Sequence, residues 1–297
     1  MQRYITVVLL LFLIFYSFES SAADYKTINL HPDYNHDKYG TEPKDIVKEF
    51  RAYMSSFDSD DDDDGDGRVD LWGIPEFVAY EIKKFEGTLG KGPKRPSPWI
   101  TDKELEDQGI APNDSTYRYS RAFRSSHPNW YIRGHLCMKQ HAWRLGEEAD
   151  WNTHTMLNAV PQRDEFNRKI WLDMENKTAA WADKYDSVWI IAGPVINNLT
   201  PRNWLGEPLK NEMEIAIPDA LFKIVVKESD DPGRPSVLAF IYPQEDNGYE
   251  NSPYDHTKYL VSVDDVEDVT GLDFLTNLLG KDEREIEEIT ATELWGL

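Results

Sequence analysis

Arg133-Gly134-His135 is followed, within one short segment, by Asn158, Pro161-Gln162, Phe166-Asn167, Trp171 and Glu175. Together these residues supply a base, a cation, carboxamides and a carboxylate, which is the equipment for cutting a phosphodiester with one hard metal ion. That reaction requires an attacking water to lose a proton, charge to be neutralised on the phosphoryl oxygens, and the leaving 3′ oxygen to be stabilised. Histidine changes protonation near neutrality, so His135 is the candidate general base. Magnesium keeps most of its water and takes one or two protein oxygens, so an amide oxygen from Asn167 is enough to anchor it. Glu175, further along the same helix face, can then accept hydrogen bonds from the ion's water shell. Taken singly, each residue reads equally well as a satisfied core histidine or a polar residue on a solvated helix. The grouping carries the argument.

A helix must hold the later part of the set. Phe166, Ile170, Met174 and Trp181 recur at near-helical spacing and predict a helix over residues 166–182. Asn167, Trp171 and Glu175 are four apart and stack on one side of it. Runs at 156–160, 187–196, 213–217, 221–226 and 237–242 are rich in β-branched and aromatic residues, which predicts a central, mostly antiparallel sheet. Short helices are expected at 45–54 and 76–84, and a longer one at 264–279 with Gly271 as a break. Residues 90–98 hold three prolines and two glycines and read as a linker. The division is therefore a signal segment at 1–23, an accessory region at 24–95, the chemical domain at 96–280 and an acidic tail at 281–297.

Arg3, the apolar run 5–18 and the small residues Ser20-Ser21-Ala22-Ala23 form a secretory signal pattern. The run is short of the ~20 apolar residues that span a bilayer, so a secreted or periplasmic protein without stable membrane association is expected. The lone Cys137 excludes an internal disulfide, leaving burial and bound ions to hold the fold. A net charge of −22 argues at first against a polyanionic partner. Much of that surplus lies in residues 58–66 and 264–288, however. Between residues 117 and 184 basic residues outnumber acidic ones, among them Arg118, Arg121, Arg124, Arg133, Lys139, Arg163 and Arg168.

Asp62, Asp64, Asp66, Gly67, Arg68 and Asp70 match the early positions of a helix-loop-helix calcium loop, with Arg68 contributing its backbone oxygen. The position where a bidentate glutamate is expected holds Gly73, and Glu76 replaces it only if the loop is longer than standard. The plain alternative is a solvated acidic loop.

Arg133-Gly134-His135, then Asn158 with Pro161-Gln162, then Phe166-Asn167, Trp171 and Glu175, resemble the signature of the DNA/RNA non-specific endonuclease family. Residues 188–194 and 269–274 extend the resemblance over roughly residues 96–279. It implies an α+β chain of the ββα-metal type, with His135 on a strand or the loop after it and Asn167 opening the metal-binding helix. It implies cleavage of DNA and RNA to 5′-phosphates with Mg²⁺, or Mn²⁺ in its place. His135 becomes the base, Asn167 the direct ligand and Glu175 the carboxylate of the ion's water shell. Arg133 contacts phosphate, and Asn158 and Gln162 support the site. The family pattern usually has Asp where this chain has Ile132, and an arginine where it has Ala179, so Arg118, Arg121 or Arg124 is expected to compensate at the scissile phosphate. A second expectation, from another class, is an exported calcium-dependent binding protein with a catalytically silent nuclease fold. The motifs engage backbone and metal and not base edges, so preference between DNA and RNA is not encoded in them; nor is oligomeric state.

Overall fold

Runs such as Val188-Trp189-Ile190-Ile191 and Leu221-Phe222-Lys223-Ile224-Val225 have no solvent-facing polar alternation, and they fold as strands buried on both sides. The computed structural model describes residues 23–59, 72–118, 130–231, 234–245 and 247–297. Its strands in chain order are β1 (Ile46–Glu49), β2 (Met54–Phe57), β3 (Phe77–Lys83), β4 (Tyr131–His135), β5 (Ala159–Arg163) and β6 (Ser187–Val195). They continue with β7 (Trp204–Leu205), β8 (Ile215–Ala216), β9 (Ala220–Lys227), β10 (Ser236–Pro243) and β11 (Leu260–Val261). Seven of them make one antiparallel sheet in the order β1-β2-β3-β6-β9-β10-β11. The helices are α1 (Lys103–Asp107), α2 (Lys139–Trp143), α3 (Glu147–Asn152), α4 (Asp164–Phe166), α5 (Leu172–Tyr185), α6 (Val263–Thr270) and α7 (Gly280–Glu287). The chain is α+β, as expected.

The sheet separates two cores. On one side Val78, Tyr80, Ile190 and Val225 pack against Phe166, Trp171, Met174 and Trp181. On the other, Phe77, Ile191, Phe222 and Ile224 pack against Val263, Val266, Phe274 and Ile286. The two-residue period of each strand assigns alternate side chains to alternate cores. The result is a layer of α4, α5 and the β4–β5 ribbon on one face, with α6 and α7 on the other.

Several local expectations are corrected here. Residues 45–54 and 76–84 are strands β1, β2 and β3, not helices. β3 pairs in register with β6, as in Ala79 opposite Ile191, and this long-range pairing outweighs local helix propensity. The acidic segment therefore runs between two antiparallel strands. Its own candidate ligands Asp62, Asp64, Asp66, Arg68 and Asp70 lie outside the described residues, as do Arg121 and Arg124.

The expected division at residue 96 is not a break in the sheet, because β1, β2 and β3 share it with β6, β9, β10 and β11. Residues 90–98 form a strap across α2: the Gly90 carbonyl accepts a hydrogen bond from Trp143 Nε1, and Gly92 lies against the end of the Lys139 side chain. The helix expected at 264–279 ends at Thr270, where Gly271 at φ 68° closes it and donates to the Glu267 carbonyl. The acidic end begins with helix α7, and its last residues pack on α5. Trp295 stacks edge-on against Trp181, and the carbonyls of Trp295 and Gly296 accept from Trp181, Lys184 and Tyr185. Among the described residues no helix is long and apolar enough to cross a membrane.

Candidate active site

The β4–β5 ribbon presents His135 at the end of β4, paired with Ala159. The glycine before it is required by contact: a Cβ on Gly134 would sit 2.0 Å from Cδ of Gln162, whose side chain crosses that position. Gln162 in turn accepts a hydrogen bond from Asn167 Nδ2. That bond uses the amide nitrogen, and among the described residues Oδ1 accepts no hydrogen bond. Asn167 begins a single wide π-helical turn, Asn167–Trp171, between α4 and α5, a local irregularity common at functional sites. Trp171 ties the halves together, since its indole N–H donates to the His135 carbonyl at 3.3 Å.

These elements enclose a cavity of about 320 Å³ lined by His135, Asn167, Glu175, Arg133, Arg95, Lys139, Arg168 and Ile132 among others. His135 Nε2 is buried there without a hydrogen-bond partner. Burial first, then His154, Arg95, Arg133 and Lys139, holds the ring well below the usual histidine range. It is therefore neutral at pH 7 and keeps a lone pair. Its ring packs against Trp99 at 4.7 Å and against His154 at 5.1 Å between centroids. Trp99 also carries the Arg133 guanidinium 4.6 Å from its ring, and Arg133 pairs with Asp114. Burial and Arg95 push Arg133 down to about 10, so it stays charged.

Glu175 is buried, and desolvation raises its pKa to about 7 against the opposing pull of Lys223 and the Trp171 indole. Lys223, on the site-facing side of β9, is fully buried, with its Nζ 3.9 Å from the Trp171 ring and no hydrogen-bond partner. Desolvation draws it down to about 8, and Glu175 pulls it back up. A buried ammonium with no acceptor is expensive unless a neighbouring charge compensates. Here that charge is Glu175.

Of the predicted set, His135, Arg133, Asn167 and Glu175 come together in the cavity. Asn158 and Gln162 do not line it and act on the residues that do. Asn158 is fully buried and spends its amide on backbone, accepting from Cys137 N at 2.7 Å and donating to the carbonyls of Cys137 and Thr153. It fixes the turn after His135, while Gln162 orients Asn167. Arg118 pairs with Glu212 and stands outside the cavity. The basic stretch is also more neutralised than its composition suggests: Arg144 pairs with Asp183, Arg163 with Glu245, Lys169 with Glu165 and Lys177 with Asp173. Ala179 offers its carbonyl to Arg144. Sequence reasoning missed Arg95, hidden in the strap, and His154, whose pKa burial lowers to about 4. It also missed Lys223, although a lone lysine inside an apolar strand is a visible signal.

An imidazole lone pair, an amide oxygen, a buried carboxylate and four cations, Arg95, Arg133, Lys139 and Arg168, thus surround one cavity. The profile of the DNA/RNA non-specific endonuclease family matches residues 68–281, and the chain belongs to that family. It is similar to human mitochondrial endonuclease G, 23% identical over 196 residues and covering 63% of each chain. It is similar to mitochondrial nuclease 1 of Schizosaccharomyces pombe, 29% identical over 213 residues, 69% of this chain and 61% of that one. A nuclease of Nostoc sp. is 29% identical over 191 residues, 61% of this chain and 64% of that one. The chain thus spans between 61% and 64% of these relatives' lengths. A chain from the crystal structure of the EndoG/EndoGI complex has the same fold, with a TM-score of 0.64 at 20% identity over 83% of this chain and 92% of that one.

Proposed function

We propose that this protein is a divalent-metal-dependent endonuclease that hydrolyses DNA and RNA to 5′-phosphate products, and that it is exported. The observation that supports this best is His135 Nε2, a buried ring nitrogen without a partner, in the same cavity as Asn167 and Glu175. His135 takes the proton of the water that attacks phosphorus. The bond to the 3′ oxygen breaks and that oxygen takes a proton from solvent water, leaving a 5′-phosphate and a 3′-hydroxyl. Arg133, Arg95 and Lys139 meet the negative phosphoryl oxygens, with Trp99 holding the Arg133 guanidinium in place.

The residues present fit a hard divalent ion. The oxygen of Asn167 and the carboxylate of Glu175 suit Mg²⁺, or Mn²⁺, which takes few protein oxygens and keeps its water. Such an ion supplies charge neutralisation and Lewis-acid polarisation of the phosphoryl group when bound. Asn167 would hold it directly, and Glu175 would accept hydrogen bonds from its water shell. The test is nicking of supercoiled plasmid and degradation of RNA, each with and without chelator. Metal-restored cleavage of both substrates is expected. Binding without cleavage at any metal concentration would leave a silent nuclease fold.

Export rests on the signal pattern of residues 1–23, and several relatives are named for mitochondria. Calcium in the acidic segment around Asp62, Asp64 and Asp66 belongs to the same reading, now in a strand-flanked frame. Loss of the calcium-induced rise in melting temperature in Asp64→Ala would support it.

A further inference from the structure

On the face of the sheet away from the cavity, α6 and α7 meet with their acidic residues turned toward each other. Carboxylate oxygens of Asp264, Glu267 and Glu287 lie within 4.8 Å of one another, and so do those of Asp273, Glu283 and Glu287. Glu287 is common to both groups. It is only 7% exposed, and its Oε1 is buried without a hydrogen-bond partner. Four carboxylates thus gather around that of Glu287, which carries the unsatisfied, buried oxygen. The charges that act on Glu287 are those of Glu267, Glu283, Asp264 and Asp273, all of one sign. Arg234 contacts Asp282 and Glu285, Lys281 also contacts Glu285, and Arg284, one turn before Glu287, forms no ion pair with it among the described residues.

A buried polar atom is normally satisfied, and burying a charge among like charges is costly. A cation removes both penalties at once. We propose that this junction is a calcium site with Glu287 as its central ligand. Calcium accepts a flexible shell of six to eight oxygens, largely carboxylate, whereas magnesium demands near-ideal octahedral geometry and dehydrates reluctantly. The ion would clamp α7 to α6. Ile286, beside Glu287, and Val263 and Val266 of α6 pack into the same core. The ligands approach one another only in the folded chain, so occupancy stabilises the native state by mass action. The site lies across the sheet from the cavity, so it acts on stability and not on cleavage.

The experiment uses the full chain, stripped with chelator, with calcium binding followed by calorimetry and melting followed by circular dichroism. Glu287→Gln keeps the shape and removes one like charge. It is expected to melt higher than wild type in chelator, to bind one calcium fewer or at least about tenfold more weakly, and to lose most of this site's calcium-induced rise in melting temperature. Asp273→Asn should weaken calcium binding in the same direction, while Asp64→Ala should leave this site intact. Magnesium at equal concentration should give a much smaller shift. Calcium stoichiometry and melting shift in Glu287→Gln equal to those of wild type would overturn the proposal. So would the absence of any calcium effect on wild type at on the order of 10 mM, above the affinity range of extracellular calcium modules. Should Glu287→Gln fail to fold, Asp273→Asn decides by the same two readouts.

Discussion

Glu175 and Glu287 are both buried glutamates facing opposite sides of one sheet, and desolvation raises both, to about 7 and to about 8. Their neighbours differ in sign. Glu175 faces the buried ammonium of Lys223, which opposes its protonation, whereas Glu287 faces only other carboxylates, which promote it. Burial alone therefore does not set the role of a carboxylate. On the cavity side the fold supplies an internal cation, so the carboxylate can stay charged and accept hydrogen bonds. On the far side no cation among the described residues pairs with Glu287, and its charge is met by protons or by a metal from solution.

The comparison separates most sharply under His135→Ala. Cleavage should fall by roughly 10² to 10⁴-fold, the usual contribution of general-base catalysis, while the calcium response of the far side stays unchanged. Plasmid relaxation beside a thermal melt checks both halves. Asn167→Ala comes next: it should sharply raise the magnesium concentration needed for half-maximal cleavage, and by more than Glu175→Gln, which can still hydrogen-bond to the ion's water shell. The reverse order across a magnesium titration would exchange their direct and water-mediated roles.

Lys223→Met removes the internal cation and makes the cavity side resemble the far side. Glu175 should then protonate more readily, reducing cleavage at pH 7 by about tenfold for each pKa unit gained. Activity should recover as pH rises, and Lys223→Arg should preserve more of it than Lys223→Met. A pH–rate profile identical to wild type would detach Lys223 from the site.

Paired isosteric changes give a smaller effect of opposite sign. Glu175→Gln leaves Lys223 buried without its compensating charge and should destabilise by ~1–3 kcal/mol. Glu287→Gln relieves repulsion and should stabilise the calcium-free chain. Equal signs in denaturant titrations would dissolve the contrast.

The mildest effect is a pH dependence of stability without calcium. The folded-state pKa of Glu287 lies above its ordinary 4.5, and that of Glu267, at about 7, does as well. The native state therefore holds protons that the unfolded chain has released. Their contribution is full below the unfolded pKa and is lost as pH rises through the folded one. The melting temperature in chelator should fall between roughly pH 5 and pH 8. Calcium should flatten that slope.

The fold was legible where the pattern was long and buried. The runs at 187–196, 221–226 and 237–242 became β6, β9 and β10, and the helix carrying Asn167 and Glu175 stands where its apolar spacing placed it, apart from the π turn. Residues 45–54 and 76–84 were not legible, because their strand state depends on a chain of pairings, β1 with β2, β2 with β3, and β3 with β6 far along the sequence. The site was legible in part for the same reason. His135, Asn167 and Glu175 lie close enough in sequence for residue type and spacing to group them. Arg95 and Lys223 join them only because the strap and β9 fold over that helix.

The sequence by itself determined the chemistry on offer: a histidine base, an amide and a carboxylate on one helix, and an acidic excess placed mostly outside that segment. Those are properties of residue type and short-range period, which every conformation of the chain shares. Tertiary structure alone decided that Asn158 binds backbone and not substrate, that the Arg144 and Arg163 charges are spent on Asp183 and Glu245, and that Glu175 has a cation behind it while Glu287 has none. The reason is physical. The free energy of a charge in a low-dielectric interior depends on which groups lie within a few ångströms, and that set is fixed only when strands distant in sequence pair.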